Sequence, residues 1–440
     1  MDEQIVKVGL VGFGTVGCGV AKLILDEADS IEAKTGLRLE LACVVDIDTD
    51  SVRPVKLPDG ILTTNLDKLL KDDSIRIGVE LVGGTDAAKQ IQLKMLKAGK
   101  DVVTANKALL AEHGNELYKA ALENGCCIAF EASCAGGIPI VSGIRTGLAA
   151  NNITAMYGIV NGTCNYILSN MTNKDEDFAE ALAQAQEKGY AEADPTLDIN
   201  GGDSAHKLAI LASIAFGCEI TLDDIFVEGI EGISKDDIHY GDEMGYRLKL
   251  LAIGQKSKDN KISLRVHPSF IAKDNRLAGI DGSFNAVSIF GSAIGQVMYY
   301  GRGAGMMPTA SAVVADIIDV ALGNSATSFR HLRLKPRSET VSLIEKIGDT
   351  ISRFYIRLMV KDQPGVFAQI AKILAENAIS ISGVLQHEGR GPDNTVPVVI
   401  ATHPNKQSKV TAALDGLDKL DTVCSKPVCI RIVDIPEDKD

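Results

Sequence analysis

The sequence predicts a mixed α/β protein in three parts: a doubly wound parallel sheet, an α+β body and a terminal βαββαβ plait. Three observations carry that expectation. Strand-like and helix-like segments alternate over the first 130 residues. Three β-rich runs, 262–270, 284–290 and 293–300, crowd the middle. The last 90 residues have the hydrophobic rhythm of a split βαβ unit.

In order, Ile5 to Gly9 read IVKVG, a short strand. It leads into Gly12-Phe13-Gly14-Thr15-Val16-Gly17 and then a helical pattern through Val20, Leu23 and Ile24. The run Leu39 to Val45 ends at Asp46, and Ile77 to Val82 ends at Gly83-Gly84. A helix over 86–98 precedes the strand Asp101-Val102-Val103. After Phe130 the chain turns glycine-rich (EASCAGGIPIV), which places a domain boundary near 131 and gives a first domain of 1–130. The second domain, 131–325, closes with a helix over about 308–322 that Pro308 suits in its first turn and that can pack back on the first domain. A polar connector, 326–350, then leads to the plait, 351–433. Its elements are a strand 352–361, the turn Asp362-Gln363-Pro364-Gly365, a helix through Val366, Phe367, Ile370, Ile373 and Leu374, strands 379–385 and 395–401, a helix 405–418 and a strand 428–433.

The balance of 45 basic against 58 acidic side chains, a net charge of −13 with no basic patch, argues against nucleic acid and anionic lipid as partners. The acidic start Met1-Asp2-Glu3-Gln4 lacks the features of a secretory signal, and no run reaches the ~18 apolar residues of a membrane span. The nine cysteines are scattered without zinc spacing, and Cys126-Cys127 and the Cys424, Cys429 pair read as small structural residues. The expectation is a reduced, cytoplasmic protein.

GxGxxG alone is a weak signal. Here a strand precedes it and a helix follows, the setting in which Gly14 lets a pyrophosphate approach the backbone at a helix N-terminus, as in a Rossmann-like domain. Gly12, Gly14 and Gly17 therefore point to a dinucleotide. Asp46, at the end of the second strand, would accept from ribose hydroxyls and favour NAD, whereas Arg53 and Lys56 could pair a 2′-phosphate. Thr104-Ala105-Asn106-Lys107 closes the fourth strand on the carboxyl edge, where open α/β sheets hold ligands.

The densest polar cluster is GYAEADPTLDINGGD, followed by a helix 204–216 with His206 and Lys207. Asp203 and Lys207, four apart, could form a plain surface ion pair. Their stripe continues into Ile210 and Ile214, however, so Lys207 is expected to be partly buried, with Asp203 and Glu192 as partners that tune it for proton transfer. His206 lies off that stripe and reads as a helix-surface residue.

The strings GFGTVG, TANKALLA, EASCAGGIPI, NGTCNYIL, GYAEADPTLDINGGDSAHKLAIL and GRGAGMMPTASAVVAD, in this order, resemble homoserine dehydrogenase over roughly residues 5–325. The tail around Asp362-Gln363-Pro364-Gly365-Val366 resembles an ACT domain, and the aspartate kinase domain fused to some relatives is expected to be absent. The resemblance implies NAD(P)-dependent interconversion of L-homoserine and L-aspartate 4-semialdehyde, on the route to threonine and methionine. It implies that Lys207 transfers the proton, that Asp203, Glu192 and Gly189 serve the substrate, and that Lys107 lies near nicotinamide and substrate. It also implies cofactor contacts at Phe13, Thr15, Val16, Gly303 and Gly305. Glu131, Cys134, Gly136 and Ile138 would form a sodium site built mostly from carbonyl oxygens, which suits a hard cation. Further implications are a homodimer or homotetramer and inhibition by L-threonine at Asp362–Val366. Another two-domain dehydrogenase and a non-enzymatic sensor are the rival readings; neither uses the NGGD-x-x-x-K string, and NAD(P)H formation from homoserine separates all three.

Overall fold

A computed structural model describes residues 4–387 and 394–436. The first sheet contains β1 (Gln4–Val11), β2 (Leu37–Val45), β3 (Leu62–Thr63), β4 (Ile75–Glu80), β5 (Asp101–Thr104) and β6 (Ile128–Ala129), in the order β3-β2-β1-β4-β5-β6. Every pairing is parallel. That order reverses direction at β1, so a crevice opens beyond the carboxyl ends of β1 and β4. Fully buried Val8, Leu10, Val79, Val102 and Val103 show why these runs are strands: a sheet covered on both faces needs branched apolar residues throughout.

The segment after Asp26 forms a helix, Ala28–Thr35, ended by Gly36 at φ 73°. It buries no side chain, so the apolar periodicity that reveals helices is missing from it.

The second sheet has eleven strands. From the body come β7 (Ile153–Ile159), β8 (Phe226–Val227), β9 (Tyr246–Lys256), β10 (Ile262–Ala272), β11 (Phe284–Gly291) and β12 (Gly295–Arg302). The plait adds β13 (Ile351–Lys361), β14 (Ile381–Leu385), β15 (Thr395–Thr402), β16 (Asn405–Lys406) and β17 (Val428–Ile432). The main path runs β12-β11-β7-β9-β10-β17-β13-β15-β14. The expected βαββαβ order is present, with helices Val366–Glu376 and Gln407–Leu417 over a core of Phe354, Ile356, Leu358, Ile370 and Leu374.

The plait is not a separate appendage. β17 pairs in parallel with β10 at Ser269↔Arg431 and Phe270↔Ile432, which makes the plait strands continuous with those of the body in one sheet. The connector is likewise more ordered than its composition indicates. It forms helices Asn324–Arg330 and Arg337–Thr340, and it bridges to the body at Cys218↔Lys335 and Ile262↔Ile344.

Helix Met306–Ala321, with Pro308 in its first turn, packs across helix Thr15–Asp26. The contact is so close that a Cβ on Gly19 would lie 2.9 Å from Ala310 Cβ. Among the described residues no single helix is long and apolar enough to cross a membrane.

Candidate active site

The glycine turn between β1 and helix Thr15–Asp26 has two kinds of glycine. A Cβ on Gly17 would fall 2.1 Å from the Gly12 carbonyl oxygen, so that glycine serves the packing of turn on helix. A Cβ on Gly14 would meet nothing within 4 Å. Gly14 is also the helix N-cap and supplies no side-chain cap, so the first-turn amides are left to an incoming anion beside open space. Phe13, Thr15 and Val16 lie on this turn. Phe13 N donates to Asp46 at the tip of β2, which brings the acid to the glycine loop. Arg53 Nη2 is 3.1 Å from Asp48 and 4.0 Å from Asp46, so the acid at the end of β2 and the basic side chain border the same place.

Asn106 caps helix Lys107–Glu123 by accepting from Leu109 N (3.1 Å), and its Nδ2 donates to Gly84 O (2.7 Å), pinning that helix to the loop after β4. Thr104 is fully buried; its hydroxyl donates to Glu80 and accepts from Asn106 N, so its side chain braces the strand ends. Glu80 is buried with it, and burial raises its carboxyl pKa.

Lys107, the first residue of that helix, reaches Asp203 Oδ1 at 2.9 Å. From helix Gly202–Phe216, Lys207 Nζ donates to Asp203 Oδ2 (2.7 Å) and to Val160 O (2.6 Å). One carboxylate therefore holds two ammonium groups. Burial works to raise the Asp203 pKa, yet Lys207 and Lys107 hold it well below the usual carboxylate range. Burial likewise opposes the charge on Lys107, and Asp203 outweighs it, keeping that ammonium protonated. With two of its three N–H groups occupied, Lys207 has one left for a ligand.

Two residues absent from the sequence-derived site complete this network. Asn161 Nδ2 donates to both Asp198 Oδ1 (2.7 Å) and Asp203 Oδ2 (2.8 Å), while its oxygen caps helix Gly162–Lys174 through Cys164 N. The signal was an Asn at a helix start, in NGTCNYIL. Asp198 is raised above its ordinary pKa by burial, with Asp203 adding to the effect.

Glu192 does not partner Lys207 as expected. Its side chain is exposed on the loop after Gly189 (φ 71°), and it forms no ion pair among the described residues. Its carbonyl accepts from Gln186 (3.1 Å), and the neighbouring Tyr190 O accepts from Thr163 (2.6 Å). His206 also departs from expectation. Helix Gly202–Phe216 is buried on all sides from Asp203 to Ala212, so leaving the Lys207 stripe does not lead to solvent. His206 is only 8% exposed, and burial lowers its pKa.

The 131–138 turn lies beneath this network. Glu131 accepts from Val141 N and Ser142 N, each 2.8 Å, and its own N donates to Asp316 (2.8 Å). Ala135 and Gly136 turn the chain at φ 54° and 50°, and Gly137 N donates to Arg302 O (3.1 Å). The turn is thereby joined to the loop holding Gly303 and Gly305. A Cβ on Gly136 would lie 2.6 Å from Gly303 O, and one on Gly303 would strike Asn285. Cys134 is buried, and Ile138 O accepts from Ile140 N. Among the described residues no cluster of His, Cys, Asp and Glu side chains could hold a metal ion. Asp362 to Gly365 form an exposed turn into helix Val366–Glu376, with Gly365 at φ 90° and Val366 buried.

Comparison with known proteins agrees along the whole chain. The family described as homoserine dehydrogenase matches residues 139–318, its NAD-binding domain matches 12–131, and the ACT domain matches 354–418. The homoserine dehydrogenase of Pseudomonas aeruginosa is 42% identical over 433 residues, covering 97% of this chain and 98% of its own. That of Bacillus subtilis is 39% identical, covering 95% and 96%. A solved homoserine dehydrogenase from Thiobacillus denitrificans superposes with a TM-score of 0.88 at 39% identity, covering 98% and 99%. Likeness of this degree in sequence and fold, over both domains and the plait, shows that the chain belongs to the homoserine dehydrogenase family of NAD(P)-dependent oxidoreductases.

Proposed function

We propose that Lys207 exchanges the proton at the substrate oxygen while L-homoserine and L-aspartate 4-semialdehyde are interconverted. The observation that carries this is Asp203, which bridges Lys107 at 2.9 Å and Lys207 at 2.7 Å. When bound, NAD(P) supplies or accepts the hydride; Gly12 to Gly17 and Gly303 to Gly305 would hold it.

In the reducing direction the aldehyde oxygen gains negative charge, and the free N–H of Lys207 donates its proton there; in the oxidising direction the neutral amine takes the hydroxyl proton back. Asp203 stays ionised and orients both lysines. Lys107, with 35% of its side chain exposed, adds positive charge beside the oxygen. Glu192 takes the substrate ammonium once the loop bearing Gly189 folds toward the lysines, a closure consistent with its exposed position. Following absorbance as NAD(P)+ is reduced in the presence of L-homoserine tests the activity, and absence of homoserine-dependent NAD(P)H rejects it.

Asp46 favours NAD, with Arg53 leaving NADP usable; a mutant of a hyperthermophilic archaeal homoserine dehydrogenase, 28% identical to this chain, has been solved in complex with NADPH. Sodium at Glu131, Cys134, Gly136 and Ile138 would be held mostly by backbone carbonyl oxygens of the tight turn at Ala135 and Gly136, since both Glu131 carboxylate oxygens accept from Val141 N and Ser142 N. Nine free cysteines accord with a reducing cytoplasm. The edge strand β12, with Tyr300 half exposed, favours assembly as a homodimer or homotetramer, and a sedimentation equilibrium showing only the 46.7 kDa species contradicts that.

The plait regulates, with L-threonine at Asp362–Val366 as an end-product inhibitor of threonine and methionine synthesis. A chain ending near residue 340 tests this poorly, because it strips β17 and Ile344 from β10. Full threonine sensitivity in Asp362→Ala would sink the assignment.

A further inference from the structure

Asn285, on β11, is fully buried, and both its Oδ1 and its Nδ2 lack a hydrogen-bond partner among the described residues. A buried carboxamide left unpaired costs free energy, and folded proteins keep few such groups. Its surroundings point to a use. A Cβ placed on Gly303 would lie 2.0 Å from Asn285 Nδ2, 2.1 Å from its Cγ and 2.5 Å from its Oδ1. Contact with all three atoms means that Gly303 meets the flat face of the amide. The hydrogens and lone pairs of an amide lie in its plane, so the loop backbone touches the group without bonding to it.

Gly303 belongs to the loop between β12 and helix Met306–Ala321. Its other side packs on the 131–138 turn, through Gly136 and through the Gly137 N–H on Arg302 O (3.1 Å). The loop ends at Gly305, the N-cap of that helix, at φ 119° and with no side-chain cap. Met306 O would lie 2.9 Å from a Cβ on Gly19, which sets the loop end beside the helix that follows the glycine turn. In the order β3-β2-β1-β4-β5-β6, Asp46 follows β2 while the 131–138 turn follows β6. The two lie on opposite sides of the crevice at β1 and β4, so the Gly303 loop borders the half of a dinucleotide remote from the adenine ribose.

We propose that Asn285 is a positioning residue for the nicotinamide half of the cofactor: with NAD(P) bound, its carboxamide hydrogen-bonds the backbone of the Gly303–Gly305 loop and holds that loop in place. This rests on the dinucleotide reading given above. A small slide of the loop across the amide face brings a backbone N–H or C=O to the edge of the amide. A bond made in the bound arrangement and not in the other raises NAD(P) affinity by that difference, although Asn285 itself touches no ligand. Alanine or leucine at this position offers neither donor nor acceptor, so the bound protein loses a bond that the free protein does not make.

Titration calorimetry on the full-length protein tests this, with ADP and with whichever of NAD and NADP the wild type binds more tightly. Asn285→Ala and Asn285→Leu should each weaken the dinucleotide about three- to tenfold, the worth of one neutral hydrogen bond. ADP carries the pyrophosphate and the adenine ribose but no nicotinamide, so its affinity should stay within about twofold of wild type. One variant leaves space and the other adds bulk, so an effect shared by both belongs to the lost carboxamide. Three results overturn the proposal. One is a dinucleotide affinity unchanged in both variants, and another is an equal loss for dinucleotide and ADP, as a purely structural role would give. The third is a melting temperature without nucleotide that falls steeply in both, which means that the amide is already engaged in the free protein. A wild type that binds neither NAD nor NADP rejects the dinucleotide reading, and this proposal with it.

Discussion

Replacing Arg357 by Met should loosen the plait from the body by about 3–5 kcal/mol, the usual cost of breaking a buried ion pair. Arg357 lies on β13, and its partner Asp237 lies in the body helix Lys235–Glu243 with none of its side chain exposed. Arg357 Nε and Nη2 donate to the two carboxylate oxygens at 2.7 and 2.9 Å, joined by Tyr355 Oη (3.0 Å) and Ser234 Oγ (2.6 Å). Without the guanidinium, two hydroxyls and the Ser234 N–H remain to solvate a buried charge, and they cannot neutralise it. The double variant Arg357→Met, Asp237→Leu removes both charges and should cost less than Arg357→Met alone, even though it also breaks the capping box with Ser234, worth ~1 kcal/mol. Hydrogen exchange at the Ile356 to Leu358 amides reads the local opening free energy without assuming that a multidomain chain unfolds in one step. A loss below about 1 kcal/mol in Arg357→Met, the range of a solvent-screened surface pair, would refute the reasoning.

Three further predictions rest on other parts of the chain. Gly14→Ala should melt at the wild-type temperature yet lose NAD(P) affinity, whereas Gly17→Ala should lose stability as well; equal thermal shifts for the two would contradict the packing argument. Burial, and then Arg431 and Arg265, hold the His267 pKa far below the ordinary imidazole value, so the residue is neutral when folded. Its contribution to stability is present above the unfolded pKa of ~6.5 and is lost as pH falls below it. The melting temperature should therefore drop more steeply from pH 6.5 to 5 in wild type than in His267→Gln; parallel profiles would dismiss this. Finally, kcat/KM should be higher with NAD than with NADP, and Arg53→Ala should widen the gap; equal or better efficiency with NADP in wild type contradicts the role given to Asp46.

What could be read from the sequence was what is local. Strand, glycine turn and helix lie within one short stretch, and Asp203 and Lys207 share a helix face by spacing alone, so both were legible. Asn161 reaches Asp203 across 42 positions and Arg357 reaches Asp237 across 120, distances over which spacing says nothing. The same limit hid the β10–β17 pairing, which turns an apparent appendage into a continuation of the body sheet. His206 was misplaced for a different reason. A stripe argument assumes that one helix face meets water, and helix Gly202–Phe216 is enclosed on every side along Asp203 to Ala212. Helix Ala28–Thr35 presents the opposite case: with Ile31 as its sole large apolar side chain it has no repeating apolar stripe, and its terminal Gly36 is the remaining cue.

The division of labour between the two lysines on Asp203 is the centre of this account, and steady-state kinetics of Lys207→Ala and Lys107→Ala test it most directly. Lys207→Ala should lower kcat by roughly 10²- to 10⁴-fold, the worth of a positioned proton transfer, with NAD(P) affinity nearly unchanged. If Lys207→Ala instead keeps more than about a tenth of wild-type kcat while Lys107→Ala falls into that range, the proton belongs to Lys107 and the assignment made here is wrong.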